Sequence, residues 1–132
     1  MSAFSNEMEA KIVLHFLVGT TQTASTNLYL ALFTADPGES GFASEATYTG
    51  YTARQPITFT QIDGSGNTMN DGAVSFPANT GTTQVIRYAA VYDTSVPGTG
   101  TMVIHGQLAA DKTLDNGDVL AFADNALVLN VN

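Results

Sequence analysis

The chain has no cysteine and no tryptophan. Without thiols it can build neither a disulfide framework nor a thiolate metal site, so stability rests on packing and the redox compartment is left open. Basic residues are scarce as well: Lys11, Arg54, Arg87 and Lys112 face twelve acidic side chains, for a formal net charge of -8. Neutralising phosphates takes clustered Lys and Arg, which disfavours nucleic acid as a direct partner. Charge of either sign is thin, at 12% of residues against roughly 25% in an average soluble domain. Thr, Ser, Asn, Gln and Gly fill the surface instead, a composition that suits a protein covered by neighbours or living outside a cell. No segment approaches the roughly 18 uninterrupted apolar residues of a membrane span, so no membrane partner is expected. The first apolar stretch lacks a basic leader and carries Glu7 and Glu9, so no secretory signal is read.

What is present fits one domain over residues 1–132, long enough to withdraw roughly two-thirds of its unfolded surface from water. The stretch that organises the rest is Leu28–Gly38. From Leu28 to Thr34 both alternating sets are apolar, Leu28, Leu30 and Leu32 on one side and Tyr29, Ala31 and Phe33 on the other. That is the signature of a strand covered on both faces. Asp36-Pro37-Gly38 then stops it with turn chemistry.

Ahead of it, residues 6–18 predict a helix, with Asn6 as cap, Glu9 at the capping-box position and Gly19 as the stop. Met8, Ile12 and Phe16 form its apolar stripe, widened by Val13 and Leu17. Such a stripe either roofs the organising strand or anchors into a partner subunit, and the roof is the expected role. After the strand, Pro56–Ile62, Ala73–Phe76, Gln84–Asp93, Thr101–Leu108, Val119–Phe122 and Ala126–Val131 read as strands. Strict alternation places Val85, Arg87, Ala89 and Val91 opposite Ile86, Tyr88, Ala90 and Tyr92, and puts Met102, Ile104 and Leu108 together on one face. Asp115-Asn116-Gly117-Asp118 and Asp124-Asn125 mark turns. The fold class is therefore all-β, an antiparallel β-sandwich of seven to eight strands with one N-terminal amphipathic helix.

Taken together, several strings carry a resemblance: Asn6–Lys11, Leu28–Gly38, Gly50–Arg54 ahead of Pro56–Phe59, Val74–Pro77, Ala90–Asp93, His105–Leu108, Lys112–Asp118 and Phe122–Leu129. In their order and spacing the chain resembles small virion proteins of tailed bacteriophages, labelled tail-fibre-like, head-fibre or capsid-decoration proteins. The resemblance implies a structural role in a virion, with synthesis in the host cytoplasm and no cofactor. It implies partners of two kinds, copies of the chain itself, expected as a closed trimer, and a phage shell or tail protein. Decoration or cementing of the head is the leading expectation. A tail-fibre-like accessory protein, or a module binding a host glycan, is the alternative.

Catalytic and metal chemistry find little support in the residues. His15 and His105 each lack a second ligand at metal spacing, and both read as satisfied structural histidines. Ser65 stands in Gly-Ser-Gly without the strand-to-helix elbow of a nucleophile. Asp63–Asn67 offers the first oxygen positions of a calcium loop but has Thr68 where Gly is needed and Val74 where the bidentate Glu belongs. The same residues, and Asp115 with Asp118, make ordinary turns. The long polar loop Glu39–Ala53 with Arg54 is the expected contact region, and Glu39, Phe42, Tyr48, Tyr51 and Arg54 are its interface candidates. For Tyr48 and Tyr51 the loop's own packing is the expected role, with contact to a neighbour as the alternative. As contact residues they should accept a charge without loss of folding, and with Asn and Asp nearby they are the groups able to stack on a sugar.

Overall fold

The computed structural model describes residues 2–39, 41–60 and 64–130. Nine strands and one helical segment follow in the order β1 (Ser2–Phe4), α1 (Asn6–Val13), a π-helical turn (Leu14–Val18), β2 (Leu28–Phe33), β3 (Gln55–Ile57), β4 (Asn67–Met69), β5 (Val74–Ser75), β6 (Gln84–Tyr92), β7 (Met102–Leu114), β8 (Ala121–Phe122) and β9 (Val128–Asn130). Five strands form one sheet in the order β1-β7-β6-β2-β3, and β4-β9 and β5-β8 form two-stranded sheets. All pairings are antiparallel. This is the expected all-β, sandwich-like architecture. Its two layers are stitched along one edge, where Thr60 donates to the Met69 carbonyl at 2.9 Å and Asp71 to that of Thr58 at 2.8 Å.

The organising strand becomes β2, flanked by β6 and β3, and each of its faces enters a separate core cluster. Leu30 and Leu32 pack with Ile57, Ile86, Val91, Ile104 and Phe122 between the layers. Ala31 and Phe33 pack with Ala90, Tyr92 and Met102 on the other side. Burying each large apolar side chain contributes about 1.5–3 kcal/mol, so both faces matter to the fold.

Three expectations change. The helix is capped by Ser5 rather than Asn6: the Ser5 hydroxyl accepts from the Met8 N–H at 3.1 Å and also donates to the Met102 carbonyl, which ties the helix start to β7. Met8 holds the N3 position, so Glu9 is one residue past the capping-box site. Second, the helix does not roof β2. None of its residues is buried, and the second face of β2 is covered instead by the loop after it. A strand β1 precedes the helix and pairs with β7, which carries the helix to the far edge of the sheet from β2.

Third, strict alternation fails at two bulges. Val91 pairs with Ile104 and Tyr92 with Met102, so Val103 is the extra residue, and Met102 and Ile104 fall in different clusters. Between the pairs Ile86↔Lys112 and Tyr88↔Gln107 the register shifts again, and Ile86 joins Ala89 and Val91 in one cluster. A bulge reverses which face a side chain meets. The predicted strand over 56–62 is shortened to β3 plus the Phe59–Asn70 bridge. Ile62, Asp63 and the terminal Val131 lie outside the described residues.

Candidate functional site

The loop from Thr34 to Arg54 is where the interface candidates were placed. Its path is set from β2 outwards. Gly38 donates to the Asp36 carboxylate at 2.9 Å, closing the predicted turn. The chain then returns alongside β2, with Thr34 donating to Ser44 at 2.9 Å and Ala46 to Leu32 at 2.8 Å.

At the centre of the returning loop is a buried ion pair. Arg54 Nε lies 2.8 Å from Glu45 Oε1 and its Nη2 lies 2.9 Å from Oε2, the two-pronged geometry that suits guanidinium and carboxylate. The Arg54 Nη1 donates to the carbonyls of Thr99 at 2.8 Å and Thr94 at 3.2 Å. The Glu45 carboxylate also accepts from the Tyr51 hydroxyl and the Gly98 N–H, both at 2.9 Å. Three chain segments therefore meet in one network: β2 through Tyr51, the loop that ends at Arg54, and the β6–β7 connection. The Tyr51 oxygen also accepts the Leu32 N–H at 3.3 Å, a β2 donor that β3 does not reach. The guanidinium lies 3.7 Å from the Tyr92 ring centroid, and Phe42 stacks on the same ring with centroids 5.7 Å apart. This layer is the cover that the helix was expected to supply.

The placements decide between the two readings of the loop. Arg54 is 1% exposed, Tyr48 5% and Tyr51 8%. All three face their own chain, so their expected role as surface contacts is corrected: the loop's own packing claims them. Tyr48 donates to the Pro77 carbonyl at 3.2 Å and packs at a tilt against Tyr51, with ring centroids 5.6 Å apart. A charge at Tyr48 is thus incompatible with its site, and neither tyrosine presents a face to a sugar. Phe42 is half-buried, and only Glu39 among the five is exposed. Sequence reasoning missed Glu45, an isolated acid in a polar loop that carries no periodic signal. It also missed Asn70 and Asn79, both fully buried. Each stands in Asn-x-Gly, a turn pattern that marks the position without showing the burial.

Burial raises the ionisation of Tyr48, Tyr51 and Tyr92 above the ordinary phenol value, and at Tyr51 the Glu45 carboxylate adds to it. These phenols keep their protons in the fold. The unfolded chain releases them near pH 10. Stability contributed this way is complete below that pH and is lost as pH rises past it. A titration of phenolate absorbance alongside circular dichroism should show these three, of the chain's five tyrosines, ionising only together with unfolding. Ionisation of all five in a chain that keeps its circular dichroism would contradict the burial.

The chemistry-bearing residues do not converge. His15 Nδ1 accepts from the Gln22 N–H at 3.3 Å on the exposed helix end. His105, on β7, lies 3.8 Å from the Asp36 carboxylate, and its Nε2 is buried with no partner, so it is only half satisfied. Among the described residues no three His, Asp or Glu side chains gather as metal ligands, and no helix is long and apolar enough to cross a membrane. A cleft of about 260 Å³ between the sheet and β9 is lined largely by the apolar Leu30, Ile57, Phe59, Ile104, Leu127 and Leu129, and His105 is the one titratable residue on its wall. What the network around Arg54 can do is hold the loop rigidly on the sheet.

Comparison with curated proteins finds no match. A family model described as Podophage GP4 fiber I protein gp80 matches residues 3–130, nearly the whole chain. The match bears out the resemblance to small phage virion proteins read from the sequence. This chain belongs to that family, a family of bacteriophage structural proteins of the fibre type.

Proposed function

We propose that the chain is a non-enzymatic structural subunit of a tailed-phage virion, one β-sandwich domain mounted as a fibre-type accessory of the particle. It is held there by copies of itself, in a closed trimer, and by a shell or tail protein, with no nucleic acid, membrane or cofactor involved. The observation that supports this most is the family match over residues 3–130. The use of the ionisable groups agrees with it. The Arg54–Glu45 pair is consumed in anchoring a loop, and Arg87, the other arginine, ties β6 to β7 through Asp111 at 3.2 Å. A protein exposed on a particle gains from loops fastened in this way, since loosely held loops open and are cleaved first.

Decoration or cementing of the head is the second reading, favoured by the head-fibre and decoration labels of the proteins that the sequence resembles. The two differ in where the protein sits. Gold-labelled antibody on intact particles should mark the tail region for a fibre accessory. Labels spread over the shell, with loss of heat resistance when the protein is removed, would favour cement. Particles without any label would overturn both. A glycan array is expected to stay silent, because Tyr48 and Tyr51 are internal.

A further inference from the structure

The N-terminal arm, residues 2–18, is fastened to the rest of the chain along one short stretch. β1 pairs with β7 through Ser2↔Gly106, Ala3↔His105 and Phe4↔Ile104. Just past this ladder the Ser5 N–H donates to the Val103 carbonyl at 3.0 Å and the Ser5 hydroxyl to that of Met102. Phe4 adds apolar contact with the core between the layers. The helix that follows buries none of its residues, so it contributes little to the hold. The backbone pairings and the Ser5 bonds of the arm's seat are thus all made to residues 102–106 of β7, a site that every copy of the chain carries in full.

The connector from this arm to β2, residues 19–27, reads Gly-Thr-Thr-Gln-Thr-Ala-Ser-Thr-Asn. Among the described residues its hydrogen bonds stay within the arm and connector. Thr20 donates to the Leu14 carbonyl at 2.9 Å, the Gln22 N–H to His15 Nδ1 and its side chain to the Thr20 carbonyl, both at 3.3 Å, and the Asn27 side chain to the Thr26 hydroxyl at 3.4 Å. None of these bonds ties the connector to the sheet. Extended, it reaches about 30 Å, and the helix adds about 20 Å. β1 and β2 stand three strand spacings apart, about 14 Å, so the arm is long enough to seat on a neighbouring body instead of its own. An exchanged arm keeps every contact of the seat, and local concentration then decides between the two arrangements. Charge agrees with a crossing at this place. The chain carries a net charge of -8, yet residues 12–35 contain no Asp, Glu, Lys or Arg, so like-charged copies meet least repulsion where the connector passes between them.

We propose that the N-terminal arm is exchanged between copies of this chain, β1 and Ser5 of one copy seated on residues 102–106 of β7 in the next, and that the exchange runs round a closed ring. This rests on the oligomeric reading above and names the surface that makes it. Each copy gives one arm and receives one, which is the head-to-tail arrangement that closes when the rotation between neighbours allows it.

Disulfide trapping in the full chain tests it, since the protein has no cysteine of its own to confuse the result. Ala3 and His105 are directly paired across β1 and β7, and antiparallel partners stand about 4.5–5.5 Å apart at Cα, within the range a disulfide spans. Chains carrying Ala3→Cys and chains carrying His105→Cys are unfolded together, refolded as a mixture and oxidised. A non-reducing gel should then show a linked dimer holding one chain of each kind. Ala3→Cys refolded with Val119→Cys, an exposed position elsewhere, should give monomers. The double variant A3C/H105C should yield a covalent ring of the same mass as the wild type has by sedimentation. Circular dichroism checks each variant's fold, and if H105C does not fold, Ser2→Cys with Gly106→Cys, the neighbouring pair, replaces it. A mixture that stays monomeric, or a double variant whose disulfide lies within single chains, would overturn the proposal. The two readings fail separately. A wild type that sediments as an oligomer while the double variant closes on itself keeps the oligomer and removes the exchange. A linked mixture with unlabelled particles keeps the exchange and removes the virion assignment, and a wild type that stays monomeric removes both exchange and ring.

Discussion

Replacing Arg54 with Ala lowers the stability of the chain by about 3–5 kcal/mol, the cost of leaving a buried partner charge uncompensated. Against a total of about 5–15 kcal/mol for a typical domain, that is enough to bring folding to its edge. The reason is geometric. The substitution strands the Glu45 carboxylate, withdraws two donors from the Thr94 and Thr99 carbonyls, and uncovers the Tyr92 ring. In thermal unfolding the midpoint should fall by roughly 10–20 °C. Arg54→Lys keeps the charge but cannot present two parallel donors to a carboxylate while reaching two carbonyls, so most of the loss remains. Removing both charges in Glu45→Leu with Arg54→Met should recover much of it, since no uncompensated ion is left inside. Urea unfolding of the four proteins checks this. A double variant no more stable than Arg54→Ala would mean that the ion pair itself, rather than the stranded carboxylate, accounts for the loss.

The organising strand was legible because its information is local. Seven residues with both alternating sets apolar can be satisfied only by cover on two sides, and β2 receives it. The cover itself was not legible. Choosing between the helix before the strand and the loop after it depends on Arg54 and Phe42 meeting over Tyr92 of β6, with Glu45 holding Arg54 in place, contacts between residues far apart in sequence. Nothing in the spacing of those residues announces them. The helix carries the apolar stripe of Met8, Ile12 and Phe16, but a stripe does not say whose surface it faces, and none of the helix residues is buried. The bulge at Val103 erased the inference from alternation for Met102, because one inserted residue reverses every side chain beyond it. Three of the five interface candidates, Tyr48, Tyr51 and Arg54, are internal for a related reason. A tyrosine in a polar loop can serve either contact or the loop's own packing, and only the hydroxyl partners, Glu45 for Tyr51 and Pro77 for Tyr48, decide for packing.

The two buried asparagines give the other large effect, and one that changes with pH. Asn79 donates through Nδ2 to the carbonyls of Thr82 and Leu114, each at 2.8 Å, and accepts the Gly81 N–H at 2.9 Å. Its backbone joins Asp118 and Gly117. It therefore fastens the turn before β6 to the Asp115–Asp118 turn after β7. Asn70 repeats the arrangement, with Nδ2 on Gly72 and Ala123 and Oδ1 on the Leu127 N–H, and fastens β4 to the approach to β9. In Asn79→Asp an oxygen replaces the double donor and meets two carbonyl oxygens. The new carboxyl holds its proton in the fold, so its ionisation is raised above the ordinary Asp value of about 3.9. The variant's deficit against the wild type is then smallest below about pH 4, where the acid is protonated in both states. It grows as pH rises, to at least about 3 kcal/mol near neutrality. Asn70→Asp should follow the same course. Asn116→Asp, on the exposed turn that Asn79 holds, should stay within about 0.5 kcal/mol at any pH. Chemical unfolding from pH 4 to pH 8, read as the difference from the wild type at each pH, separates the cases. A deficit in Asn79→Asp that does not change with pH would show that the side chain's donors are not directed at the Thr82 and Leu114 carbonyls.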